Sequence, residues 1–172
     1  MPKVIEVTVY QYSELPTETA KAAARQWLSE AATDSEWWDA EYQDALDVGL
    51  KITGFDLYAR GITMEIETSA PEVAETITGN HGKECETYKA AHDYLRELDT
   101  LGAACDAEDG SEERNTWEAK REEIDNDFLK ALRKAYIDML ESEYEYLCSI
   151  EHLAEFAEAN GYTFTAMGRR FG

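Results

Sequence analysis

From Glu112 to Leu147 the chain contains neither glycine nor proline, and Trp117, Ile124, Phe128, Ala131, Ala135 and Met139 recur there at steps of three, four and seven. That spacing places all six on one face of an α-helix, so the pattern predicts a single long helix with these side chains inward. At about 1.5 Å per residue it spans on the order of 50 Å, more than most small domains are wide.

The other segments are shorter. Residues 4–10 set Ile5, Val7 and Val9 against Glu6 and Thr8, the alternation of a half-buried strand. Pro16 and Thr17 open a helix carrying Ala20, Ala24, Trp27 and Leu28 and ending near Ala32. Asp34 and Ser35 are candidate caps of a second helix with Trp38, Tyr42, Ala45 and Leu46 on one side, which Gly49 and Gly54 end or follow. Adjacent helical residues point about 100° apart, so of Trp37 and Trp38 one is expected in the core and the other toward solvent or a partner.

Residues 55–68 alternate Phe55, Leu57, Ala59 and then Ile62, Met64, Ile66 about Gly61, as a hairpin or one kinked strand. Pro71 opens a short helical turn, and Gly79, Asn80 and Gly82 interrupt the chain before a helix over 83–101 with Tyr88, Ala91, Leu95 and Leu98 inward. Ser149 caps a last helix through Ala159, and Asn160-Gly161 stops it. The tail alternates again at Tyr162 and Phe164, with Gly168 as a turn before Phe171. With 172 residues and no internal repeat or linker, residues 1–172 read as one domain. The expected class is α+β: a small antiparallel sheet, drawn from both termini and the middle, covered by helices that include one long helix in the C-terminal half.

Charge narrows the function. Acids outnumber bases by 37 to 16, a net charge of −21, yet 44% apolar content argues for a folded chain rather than a disordered acidic one. Such a charge repels nucleic acid and anionic membranes and favours a basic partner. Cys85, Cys105 and Cys148 are odd in number and include no CxxC pair, as expected of reduced thiols. The start MPKVIEVTVY lacks the pattern of a signal peptide, and no apolar run reaches the length of a membrane span, so a cytoplasmic protein is expected.

Tyr12-x-x-Leu15, Ala20-Lys21, Ala24-Arg25-Gln26-Trp27, Trp37-Trp38, Tyr42 and Asp44, with Ala159-Asn160-Gly161-Tyr162-Thr163-Phe164-Thr165 and Gly168-Arg169-Arg170-Phe171 near the end, together resemble the opening and closing motifs of a family of small acidic accessory proteins of tailed bacteriophages and prophages. The two motifs cover about a third of the chain. A Ser-Gln-Gly-Asp run that members often carry is replaced here by Tyr58-Ala59-Arg60-Gly61-Ile62-Thr63. The resemblance implies a phage accessory protein acting in the bacterial host cytoplasm. It supplies no catalytic residue.

Residues 136–158 hold seven acids and no Lys or Arg. Asp138, Glu141, Glu145, Glu151, Glu155 and Glu158 are the leading candidates for partner contact, because carboxylates one helical turn apart form rows about 6 Å in spacing, comparable to the charge spacing of a nucleic-acid backbone. The second candidates are Asp106, Glu108, Asp109, Glu112 and Glu113, in a stretch over 106–127 with ten acids against three bases. The bland alternatives are a solvated helix face or adaptation to salt. A nucleic-acid mimic that occupies the basic groove of a host restriction or CRISPR complex is the first functional expectation. A phage assembly protein pairing through its long helix, as a homodimer or with another subunit, is the second, and a metal-assisted enzyme acting on a small nucleotide the third.

Signals for chemistry are thin. His81, Cys85 and His92, or Cys148 and His152, fall short of a zinc set, and the acids of 106–113 do not keep the spacing of a calcium loop. No nucleophile-elbow, phosphate-loop, dinucleotide or zinc-protease motif occurs. The expectation is a binding protein with no catalytic residue, no cofactor and no metal.

Overall fold

The computed structural model describes residues 6–102 and 105–172. Their contacts gather into two compact units, Trp38–Glu141 and Met1–Trp37 with Ser142–Gly172. The class is α+β, with the long helix where the sequence puts it.

In the larger unit, α2 (Asp39–Asp47) leads through Gly49 into an antiparallel hairpin, β1 (Leu50–Asp56) and β2 (Gly61–Ile66). Leu50 faces Ile66 and Ile52 faces Met64, and the register slips between Ile52 and Gly54. Of the two forms expected about Gly61 the chain takes the hairpin, with Gly61 opening β2, and it starts five residues before the alternation suggested. α3 (Ala70–Asn80) packs on α4 (Glu86–Leu101). Pro71 does not limit α3 to one turn: Ser69 caps the helix by accepting from the Glu72 N–H, and proline in a first turn removes a donor that has no helical partner anyway.

The first 30 residues of α5 (Glu112–Leu147) complete this unit. Ile124, Phe128, Leu132 and Tyr136 enter a core with Val48, Leu50, Ile52, Met64, Val73, Ile77 and Tyr94. The buried stripe steps by four and continues to Leu140, so Ala131 and Met139 are exposed rather than inward. A seven-residue step drifts around an ideal helix, whereas the larger Leu132 and Tyr136 one place on reach the core.

In the smaller unit, α1 (Glu18–Ala32) packs on α6 (Ile150–Ala159) beside a short 3-10 turn, Tyr12–Glu14. Ser149 caps α6 as expected, and Thr17, at the expected entry of α1, caps that helix, each accepting a backbone N–H. Ala20, Ala24, Leu28, Leu153, Ala157 and Phe164 form its core. β3 (Thr163–Phe164) and β4 (Arg170–Phe171) make a second two-stranded sheet, to which the N-terminal segment, among the described residues, adds only the bridge Tyr10 to Phe164.

Two expectations change. Both termini and the middle do not share one sheet, and residues 6–9 form no strand; Val7 and Val9 are exposed, while 4 and 5 lie outside the described residues. α2 starts at Asp39 without a side-chain cap, so Asp34 and Ser35 lie outside it, as do both tryptophans. Trp37 and Trp38 are each half-buried, with rings against Tyr144 and Phe55 respectively, and Leu46 is exposed.

Candidate functional site

The last turns of α5 and the whole of α6 carry the acid-only segment. Glu145, Glu151, Glu155 and Glu158 are exposed, and none of them has an ion-pair partner among the described residues. Glu151 lies in the first turn of α6, where the helix dipole favours a carboxylate on structural grounds alone. Glu155 and Glu158 have no such local compensation. Exposed Tyr146 and Ile150 lie between Glu145 and Glu151 in the chain, so this surface has apolar as well as charged material.

Asp138 and Glu141 differ from the other four. Arg60, in the turn of the β1–β2 hairpin, donates to Asp138 Oδ1 at 2.5 Å and to Glu141 Oε2, and Lys134 donates to Asp138 Oδ2 at 2.6 Å. Both carboxylates are about one-third exposed. The sequence segment contains no base, but the fold brings one from 78 positions upstream. The negative row is thus neutralised at its start and open from Glu145 onward.

The second acidic set surrounds the start of α5. Asp106, Glu108, Asp109, Glu112 and Glu113 are all exposed. The Ser111 hydroxyl accepts the Arg114 N–H, and Glu112 and Glu113 sit in the first turn where the dipole favours them. Arg114 donates to the Cys105 carbonyl at 2.8 Å and to Glu118 at 2.9 Å and lies 3.9 Å from Asp109. Asp109, Glu112 and Glu113 therefore have a local structural role that the carboxylates of α6 beyond its first turn lack.

Two polar networks were not legible in sequence. Asp44 on α2 accepts from the buried Tyr136 hydroxyl at 2.8 Å, and His81 Nε2 lies 3.4 Å from its other oxygen. His81 Nδ1 is 2.7 Å from the hydroxyl of Thr87, which is only 2% exposed. Thr87, His81 and Asp44 thus follow the order nucleophile, base, acid, but the hydroxyl is closed off from any substrate, and the set joins helices rather than doing chemistry. His81 is spoken for by this network, and Cys85 is exposed nearby in sequence without joining it. Among the described residues no three His, Cys, Asp or Glu side chains gather as a metal would need. In the second network the Tyr94 hydroxyl donates to Asp125 at 2.6 Å, and Arg121 reaches the same oxygen at 3.3 Å. Burial first, and the carboxylate second, hold both phenols above the usual tyrosine range.

Basic side chains form the third unexpected group. Arg60, Lys130, Arg133 and Lys134 line one cleft of about 370 Å³ between the hairpin turn and α5, with Ile62 and Ile137 among them. Lys130, Arg133, Lys134 and Ile137 fall at i, i+3, i+4 and i+7, a pattern visible in the sequence but outweighed there by the surrounding acid.

No helix among the described residues is long and apolar enough to cross a membrane. Comparison with protein-family models, with curated proteins and with solved structures finds no match to this chain.

Proposed function

We propose that this protein is an inhibitor that lays the acidic surface of the α5 end and α6 into the basic groove of a nucleic-acid-binding protein, its carboxylates standing in for phosphates. The setting that fits the sequence resemblance is a phage-encoded protein acting in a bacterial cytoplasm against a restriction or CRISPR complex. One observation carries the reading: Glu145, Glu151, Glu155 and Glu158 stand exposed on two consecutive helices without an ion-pair partner among the described residues. Carboxylates that a fold leaves unpaired are ready to pair with Arg and Lys of a partner, and charge steering speeds that encounter. Exposed Tyr146 and Ile150 offer the apolar anchors on which such interfaces commonly depend.

The assembly alternative needs α5 to offer an apolar stripe to another helix. Its stripe from Ile124 to Leu140 is already buried within this chain, which favours the acidic surface.

The test is competition. Bacterial nucleic-acid-binding proteins retained on the immobilised chain, after nuclease treatment and elution in salt steps, are assayed for binding of labelled DNA or RNA with and without the chain. The expected result is loss of nucleic-acid binding, reversed by raising salt and absent with the variant Glu145→Lys, Glu155→Lys, Glu158→Lys. Glu151 is spared because lysine there would oppose the α6 dipole. Undiminished nucleic-acid binding in the presence of the chain, or equal inhibition by the folded triple variant, defeats the proposal.

A further inference from the structure

We propose that the cleft between the β1–β2 turn and α5 is a binding site for a compact phosphate-class anion. Four of the 16 basic residues of a chain with net charge −21, Arg60, Lys130, Arg133 and Lys134, line this one cleft. On α5 Lys134 pairs with Asp138, but the other two cations have no such support among the described residues. Lys130 and Lys134 are one turn apart, a like-charge spacing that opposes the helix, and Lys130 and Arg133 have no acidic partner among the described residues. A chain with 37 acids had ample means to pair them.

The backbone supplies a second, independent sign. Arg60 has φ +50°, the left-handed region that favours glycine or asparagine, and no other described non-glycine residue has a positive φ. A disfavoured conformation carried by a functional type of side chain is characteristic of binding turns. Here it brings a guanidinium to the cleft, where Asp138 and Glu141 already show which chemistry it accepts: paired anionic oxygens on its fork.

The extent of the positive zone sets the size of the ligand. Residues 128–135 contain three cations and no acid, whereas 122–127 contain four acids, and Asp138 and Glu141 follow. From residue 130 to 134 is about 6 Å along the helix, and the acids that bound the zone lie about 16 Å apart. A phosphate or pyrophosphate fits within that window. A nucleic acid or acidic peptide laid along α5 meets carboxylates at both ends. The cleft volume of about 370 Å³ suits a small molecule, and Ile62 and Ile137 offer an apolar contact to a phosphate monoester's organic group. This site uses different residues from the acidic surface of α6, so either proposal can fail without the other.

The whole chain is titrated at about 0.1 M salt, where distant charges are screened, with inorganic phosphate, pyrophosphate, phenyl phosphate and a single-stranded oligonucleotide, read by amide chemical shifts and calorimetry. The expected result is saturable one-site binding with shifts at residues 60–62 and 130–137, with phenyl phosphate tighter than phosphate. The variant Lys130→Ala, Arg133→Ala should weaken it about tenfold or more, while Lys120→Ala, which removes one charge elsewhere on α5, should not. Each single alanine, read separately, should weaken it about threefold if the double variant folds poorly. Non-saturating shifts, equal loss in Lys120→Ala, or an oligonucleotide that binds more tightly than phenyl phosphate each overturn the proposal.

Discussion

The hydroxyl of Tyr136, wholly buried on α5, donates a 2.8 Å hydrogen bond to Asp44 Oδ2 on α2. Removing it in Tyr136→Phe strands one carboxylate oxygen at the edge of the core while keeping the ring's packing. A hydrogen bond to a carboxylate contributes about 1.5–3 kcal/mol, and because Asp44 retains partial access to water the expected cost lies at the lower end, about 1.5 kcal/mol. Urea denaturation should show a lower midpoint at unchanged slope. A variant as stable as the parent would mean that water replaces the phenol without loss.

Tyr94 and Tyr136 also set an alkaline limit. Burial, aided by Asp125 and Asp44, raises both phenols above their ordinary value, so above about pH 10 the folded chain keeps two protons that the unfolded chain releases. Their contribution is fully present below about pH 10 and is lost as pH rises beyond it, so stability falls with pH in that range. Absorbance at 295 nm should show a late step in which Tyr94 and Tyr136 ionise only with loss of structure. In Tyr136→Phe the late step should shrink by one tyrosine.

Local patterns gave the elements, and distant partners gave the site. The long helix and the Ser149-capped helix match the structure because caps, breakers and periodicity act over a few residues. The burial of Tyr136 and the exposure of Met139 depend on what faces α5, which no window along the chain contains. Asp138 and Glu141 looked unneutralised for the same reason: Arg60 arrives through the hairpin, and its pairing is a property of the fold. Strand character in residues 6–9 failed because an alternating pattern pairs only where an edge is offered, and Phe164 offers one bridge.

Gly168 tests a close approach. Its φ is +79°, and a Cβ there would lie 1.9 Å from the carbonyl oxygen of Ala20 in α1. Gly110 has the same φ, +79°, with nothing within 4 Å of a Cβ. Gly110→Ala should therefore cost only the left-handed penalty, about 1 kcal/mol, while Gly168→Ala adds a backbone collision. The expected difference is about 2 kcal/mol or more, with weakened hydrogen-exchange protection at Phe164 and Tyr10, whose bridge lies in the same unit. Equal costs for the two alanines would show that the 165–168 turn moves away from α1 freely.

Arg60 combines a backbone cost with a side-chain gain, and two substitutions separate them. Arg60→Ala keeps the left-handed strain and loses the contacts to Asp138 and Glu141; Arg60→Gly loses the same contacts and relieves the strain. The glycine variant should be more stable than the alanine variant by about 1 kcal/mol. Exposed ion pairs contribute about 0–1 kcal/mol each, so Arg60→Gly should lie close to the parent in stability. Their contribution should also shrink with salt, so the gap between parent and Arg60→Ala should narrow between low and high ionic strength, while the gap between the alanine and glycine variants stays constant. Thermal melts of the three proteins at two salt concentrations measure both gaps. An alanine variant as stable as the glycine variant would show that the left-handed backbone of position 60 carries no cost.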